Sequence, residues 1–236
     1  MNLMIARAIA LTTLLTRTAT HVHSFTPILH QPVLSRSIVQ QVRLPIPTIP
    51  SNTAISMSTA AATTDTKKKR VLVPIADDSE EIETSSITDV LTRFGSSVIV
   101  ASVMPDLVCK MSRGLKICAD VTIEEASKEE WDLIVLPGGM PGANHLRDSE
   151  FLVEMLKKQQ KQNKLYGAIC AAPAVVLQTH GLLAGPGATC YPAPPFRSTI
   201  ADPSDDKVVV QGNVITSQGP GTSLLFALSL GEQLVS

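Results

Sequence analysis

An α/β fold with a mostly parallel sheet, covered by helices on both faces, is what this 236-residue sequence predicts. Two observations carry the prediction. Short apolar runs alternate with segments of helical spacing, and the alternation persists to the C-terminal end. The first strand is read at residues 70–76, through Val71-Leu72-Val73-Pro74-Ile75. Ile87, Val90, Leu91 and Phe94 then follow helical spacing, with Gly95 where a left-handed cap closes a helix. Ser97–Ser102 reads as a strand, and residues 111–117 as a further strand at an edge. Leu133-Ile134-Val135-Leu136 is a buried strand running into Pro137-Gly138-Gly139. Residues 151–161 form an amphipathic helix, Leu165–Ile169 a strand, and residues 171–178 a helix with Pro173 in its first turn. Residues 207–217 read as two short strands around Gly212-Asn213, a hairpin signal, and Ser223–Val235 as the last helix. In such sheets ligands gather at the carboxyl ends of the strands, near a topological switch point.

The first 66 residues are of another kind. Residues 1–64 contain no Asp or Glu, four Arg, many Ser and Thr, and prolines at 45, 47 and 50. That profile matches an organelle-targeting segment and cannot make a packed domain. Its start, Met4-Ile5-Ala6-Arg7-Ala8-Ile9-Ala10-Leu11, resembles a signal-peptide core and is too short and interrupted to span a bilayer. With Ser24-Phe25-Thr26-Pro27 behind it, the segment resembles the bipartite presequences of algae with complex plastids. The expected destination is a plastid, with a mitochondrion as the alternative. The domain expected to fold is residues 67–236. Lys67-Lys68-Lys69-Arg70 at its start is read as the solvated edge of the first strand rather than a nucleic-acid patch.

Charge and cysteine usage narrow the function classes. Residues 71–236 hold 12 Lys and Arg against 20 Asp and Glu, a formal charge of −8, which argues against nucleic acid as a partner. The near-neutral total hides this, because the leader is basic. No membrane partner is expected either. Cys109, Cys118, Cys170 and Cys190 form no C-x-x-C pair, and no His/Cys cluster has zinc-ligand spacing. Neither a metal nor a disulfide framework is expected.

Cys170 is the candidate of most chemical interest. It ends the run Leu165-Tyr166-Gly167-Ala168-Ile169 and opens the following helix. A sulfur at a strand-to-helix turn is held out of the core, beside unpaired N–H groups that favour thiolate; the turn is a sulfur analogue of the serine nucleophile elbow. The stretch alone leaves two readings open, a reactive sulfur and a small buried core residue. Pro137-Gly138-Gly139 ends its own strand, where glycines admit a ligand close to the backbone and offer N–H groups to an oxyanion; a plain tight turn is the alternative. In Ser79-Glu80-Glu81-Ile82-Glu83-Thr84 most acids are read as solvated dipole complements, while Glu83, one turn before Ile87, can lie against the sheet edge.

Together these blocks resemble the DJ-1/PfpI superfamily, in its DJ-1/ThiJ branch, and plant and algal plastid members in particular. The matching blocks are Val71-Leu72-Val73-Pro74, Glu80-Glu81-Ile82-Glu83, Leu136-Pro137-Gly138-Gly139, Ala168-Ile169-Cys170-Ala171-Ala172-Pro173 and Thr216-Ser217-Gln218-Gly219-Pro220-Gly221-Thr222, in order across residues 70–235. The resemblance implies a flavodoxin-like sandwich and a homodimer. It implies that Cys170 is the reactive cysteine and Glu83 the acid bonded to it. It makes Gly138, Gly139 and Ala171 the backbone donors around the sulfur, and Arg113 an arginine near the dimer interface and active site. The activity implied is cofactor-free processing of 2-oxoaldehydes such as methylglyoxal, or of their protein adducts. A redox-responsive protective protein or chaperone, with an oxidisable Cys170, is the alternative.

Several positions depart from the family pattern. Many members carry a histidine where Cys190-Tyr191-Pro192 places Tyr191, and a phenol is a poor proton carrier near neutral pH. His145 and His180 are expected at the surface or a helix end, not as replacements. Members continue past the last helix, where this chain stops at Ser236, so altered dimer contacts and pocket cover are expected. Ala171 stands where PfpI-type peptidases place a histidine, which argues against peptidase activity.

Overall fold

The computed structural model describes residues 68–236. The expected targeting segment, residues 1–66, lies outside the described residues. In chain order the elements are β1 (Arg70–Ile75), α1 (Glu81–Arg93), β2 (Ser97–Ser102), β3 (Val108–Lys110), β4 (Lys116–Cys118), β5 (Val121–Thr122) and α2 (Ile123–Ala126). There follow β6 (Leu133–Leu136), α3 (Gly142–Asp148), α4 (Glu150–Lys161), β7 (Leu165–Ile169), a π-helical turn (Pro173–Gln178) and α5 (Pro194–Arg197). The chain closes with β8 (Val208–Gln211), β9 (Val214–Ser217), a 3-10 turn (Pro220–Thr222) and α6 (Ser223–Val235).

Seven strands form one sheet in the order β5-β2-β1-β6-β7-β9-β8. Every pairing is parallel except β8 with β9, the expected hairpin. Period-two alternation splits the strand side chains between two cores. Leu72, Ile134, Leu136 and Tyr166 join Leu152, Met155 and Leu156 of α4 on one face. Val71, Val73, Leu133 and Val135 join Ile87 and Leu91 of α1 and Phe226 and Leu230 of α6 on the other. This is the two-faced α/β layering read from the sequence.

One expectation is corrected. Residues 111–117 are not one strand, since only Lys116 and Ile117 of them lie in a strand, β4. β3 and β4 pair antiparallel in a separate two-stranded sheet, and the segment between them turns. Gly114 takes φ +98 there, and the Met111 N–H donates to Leu115 O at 2.8 Å. The expected helix after Cys170 is present over Pro173–Gln178, wound as a π-helix with Pro173 at its start. The short α3 was not anticipated, because only Gly142, Ala143 and Leu146 of it are buried and no helical stripe shows.

The site sits where β1 reverses the strand order. β2 and β5 lie on one side of β1 and β6 on the other, so the crevice between β1 and β6 opens at a topological switch point. One glycine allows α6 to close on the sheet beside it. A Cβ on Gly167 of β7 would lie 2.8 Å from Ile215 O and 3.1 Å from Leu230 Cδ2. Gly167→Val is therefore expected to cost about 1–3 kcal/mol by overpacking. A urea midpoint lowered at constant slope is the expected result; an unchanged midpoint would show that α6 yields freely.

Candidate active site

Cys170 follows β7 directly and takes φ +64, a left-handed conformation rare for a side-chain-bearing residue. Backbone bonds on both sides hold it there. Its N–H donates to Ser217 O at 3.0 Å, and its carbonyl accepts from Tyr191 N–H at 2.7 Å. The turn aims the sulfur into a cavity of about 300 Å³ at the carboxyl edge of the sheet, and the residue is 9% exposed. Close packing brings the loop after β6 against it. A Cβ on Gly138 would stand 2.6 Å from Cys170 Cβ, and one on Gly139, whose φ is +89, 2.3 Å from Asp78 O. Only glycine fits either position without movement.

Glu83, in the first turn of α1, is fully buried behind the sulfur. Its Oε2 accepts the Gly138 N–H at 2.7 Å, and its Oε1 has no hydrogen-bond partner. Burial pushes this carboxyl up to about 7, with the Glu80 charge adding to the rise and the Gly138 N–H opposing it. Cys170 is pushed up to about 12 by burial and by the Glu83 carboxylate, while the N–H groups of Gly139 and Ala171 pull the other way. The helix-start argument, which favours thiolate, is thus outweighed. A single π-helical turn and two N–H donors do not offset desolvation beside a carboxylate. The two groups behave as one coupled acid that gives up its protons reluctantly.

The other expected residues are placed as follows. Gly139 and Ala171 direct N–H groups at the sulfur, as the resemblance implies. Gly138 does not, because its N–H is committed to Glu83. Glu80 and Glu81 are not simple solvated acids. Glu80, 7% exposed, caps α1 by accepting Glu83 N–H at 2.8 Å, and it lines the cavity. Glu81 spans to the β3–β4 turn, accepting Ser112 Oγ–H and Arg113 N–H, each at 2.8 Å. That clamp sets Arg113 at the cavity wall. Tyr191 stands 42% exposed at the mouth, its ring edge-on to Phe196 with centroids 5.9 Å apart. Met140 and Phe196 also line the cavity, and no periodic or motif signal marks them in the sequence. His145 and His180 stay away from it; His180 Nε2 lies 2.9 Å from Arg147 O. Among the described residues the four cysteines are free, and no cluster of His, Cys, Asp or Glu could hold a metal ion.

The raised Glu83 carboxyl carries a consequence for stability. Its folded value of about 7 exceeds the ordinary 4.5, so the folded state holds the proton more tightly. Stability then falls as pH rises from about 4.5 to about 7 and stays reduced above. Glu83→Gln lacks this penalty. Its unfolding free energy is expected to gain on wild type by roughly 3 kcal/mol across that window. Cys170 in the variant should also ionise at lower pH, read by thiolate absorbance. Parallel stability curves and an unmoved thiol would show the pair to be uncoupled.

Comparison with known proteins agrees with this geometry. The DJ-1/PfpI family model matches residues 69–233. Protein DJ-1 homolog B of Arabidopsis thaliana is 52% identical over 164 residues, 70% of this chain and 37% of that protein. Protein DJ-1 homolog A of the same plant is 44% identical, with 70% of this chain and 42% of that protein covered. The chain thus spans well under half the length of these two relatives. A Caenorhabditis elegans protein named glutathione-independent glyoxalase DJR-1.2 is 39% identical over 170 residues, 71% of this chain and 89% of that protein. Among solved structures, oxidized DJ-1 of Toxoplasma gondii superposes with a TM-score of 0.68 at 48% identity, covering 70% of this chain and 90% of that one. The fold is therefore the flavodoxin-like α/β sandwich of these relatives, and the chain belongs to the DJ-1/PfpI family.

Proposed function

We propose that the protein converts small 2-oxoaldehydes such as methylglyoxal into 2-hydroxy acids without glutathione. In this reading Cys170 is the nucleophile and Glu83 the acid/base. The observation that carries it is the buried Glu83 carboxyl, raised to about 7 against the sulfur of a left-handed turn. An acid/base works best when its pKa lies near the operating pH. The glyoxalase name of the Caenorhabditis elegans relative supports the same chemistry.

The steps balance as follows. The Cys170 thiol proton passes to the Glu83 carboxylate while the sulfur bonds to the aldehyde carbon. The alkoxide so formed faces the Gly139 and Ala171 N–H groups and takes the proton from Glu83, giving a hemithioacetal. Glu83 then removes the hydrogen from the former aldehyde carbon. The electron pair moves into an enediolate, the hydroxyl proton of that carbon passes to the adjacent oxygen, and Glu83 returns its proton to the adjacent carbon, leaving a thioester of the 2-hydroxy acid. Water displaces the acid and restores the thiol. The sum is one aldehyde plus one water to one hydroxy acid, and no step calls for a metal or organic cofactor. Gly138, by holding Oε2, fixes the carboxyl in place and leaves Oε1 without a hydrogen-bond partner. The same addition would reopen a hemithioacetal or aminocarbinol on a glycated protein.

Tyr191 favours a second reading, a redox-responsive protective protein. There two equivalents of peroxide oxidise Cys170 through sulfenate to sulfinate, releasing two waters, and the sulfinate accepts a hydrogen bond from protonated Glu83. A homodimer and import of the chain into a plastid, or alternatively a mitochondrion, complete the proposal, the latter on the acid-free leader.

Lactate is expected from methylglyoxal with purified residues 67–236 in the absence of glutathione, and none from Cys170→Ala. Equal rates in both would remove Cys170 from the chemistry. Tyr191→His is expected to raise turnover roughly tenfold, short of the 10²–10⁴ that a well-placed general base supplies. If wild type and Tyr191→His are both inactive while Cys170 still oxidises readily, the redox reading replaces the enzymatic one.

A further inference from the structure

The cavity over Cys170 is divided chemically. Its floor is polar, formed by the sulfur and the Gly139 and Ala171 N–H groups. One side of its rim is apolar, formed by Met140, Tyr191, Phe196 and Pro220, while Glu80, Ser112 and Arg113 make the rest of the wall polar. Tyr191 and Phe196 meet at 87°, the edge-to-face arrangement that ring quadrupoles favour. Met140 is 44% exposed and offers a flexible thioether as an adaptable wall. Gly219 keeps the space between floor and rim open. A methyl built on it would touch the Tyr191 ring at 3.4 Å and Cys170 Sγ at 4.0 Å. Sulfur and ring thus flank one gap.

Size points the same way. The cavity of about 300 Å³ equals roughly ten waters at the 30 Å³ each takes in the liquid, and covalently joined atoms pack closer than that, so the ten heavy atoms of an aryl 2-oxoaldehyde fit within it and cover more of its wall than the five of methylglyoxal. A third ring beside Tyr191 and Phe196 also gains edge or offset stacking beyond the area it buries.

We propose that the preferred substrate is a 2-oxoaldehyde bearing an aryl substituent, seated in the gap between Cys170 and Tyr191, with Phe196 and Met140 as specificity-determining residues. The proposal rests on the reaction assigned to Cys170 above. The reacting carbonyl lies on the polar floor, and the ring lies against the apolar side of the rim. An alkyl group as small as methyl leaves that side wet and its apolar surface uncovered.

The test compares phenylglyoxal with methylglyoxal as substrates, with an intact-mass control for guanidine adducts on arginine. It also compares mandelate with lactate as product ligands, by calorimetry. Wild type is expected to show kcat/KM for phenylglyoxal about tenfold or more above that for methylglyoxal. Phe196→Leu should collapse that ratio. Gly219→Ala, whose added methyl makes only ordinary contacts, should collapse it too and serves if Phe196→Leu does not fold. Turnover of methylglyoxal at or above the phenylglyoxal rate, or a ratio unmoved by both substitutions, overturns the specificity and leaves the Cys170 reaction standing. If neither aldehyde turns over, the proposed reaction fails and calorimetry decides the specificity. Mandelate binding tighter than lactate, and weakened by Phe196→Leu or Gly219→Ala, supports the aryl site; equal binding of the two acids overturns it.

Discussion

The hydrogen bond from Gly138 N–H to Glu83 Oε2, 2.7 Å long, is the interaction on which the site depends. It crosses the switch point, joining the loop after β6 to the first turn of α1. An isolated carboxyl in the core is costly unless it is bonded or protonated. This one is held by a single backbone donor on one oxygen and left bare on the other. Burial, with the Cys170 thiol and this carboxyl beside one another, makes both groups hold their protons more tightly than they would in water. The glycine contacts follow from the same need. Were Gly138 or Gly139 to carry a side chain, the loop would have to retreat from Cys170 and from Asp78, and the donor would leave the carboxyl.

Around that pair the chain spends local strain and long-range stitching. Cys170 keeps its left-handed backbone because β9 and the 191 loop each bond it. The β3–β4 turn, outside the main sheet, is tied to the start of α1 by both oxygens of Glu81 and by Ser112 N–H to Ser79 O at 2.9 Å. The cavity wall is therefore built from segments far apart in sequence, fixed by backbone and short side-chain bonds, and the β3–β4 segment is also anchored in the core through Cys109 and Met111.

What could be read from the sequence follows this division. The strands Leu133–Leu136 and Leu165–Ile169 were legible because a buried strand must be apolar and short, and the turns after them because they end in Pro-Gly-Gly and in cysteine. Pairing Glu83 with Cys170 came from the family resemblance rather than from spacing. The state of the sulfur was not legible. A helix terminus is visible in a sequence, whereas the depth of burial that reverses its effect is a property of the packed chain. The resemblance assigned Gly138 to the sulfur together with Gly139, and only the placed acceptor shows that its N–H goes to Glu83 instead. Glu80 and Glu81 resembled surface acids because their partners, the Glu83 N–H and the 112–113 backbone and hydroxyl, lie on the inner side of the helix start. Phe196 and Met140 carry no pattern at all and are known only from the cavity they line.

The contact that fixes residue 191 against Cys170 is made by its backbone N–H, not by its phenol. Placement and chemistry are therefore separable at this position. Any residue with a free amide can occupy it without disturbing the turn that presents the sulfur. The mouth of the site behaves as an interchangeable fitting on a fixed mount, where the character of the pocket can drift between lineages while the reactive pair beneath stays in register.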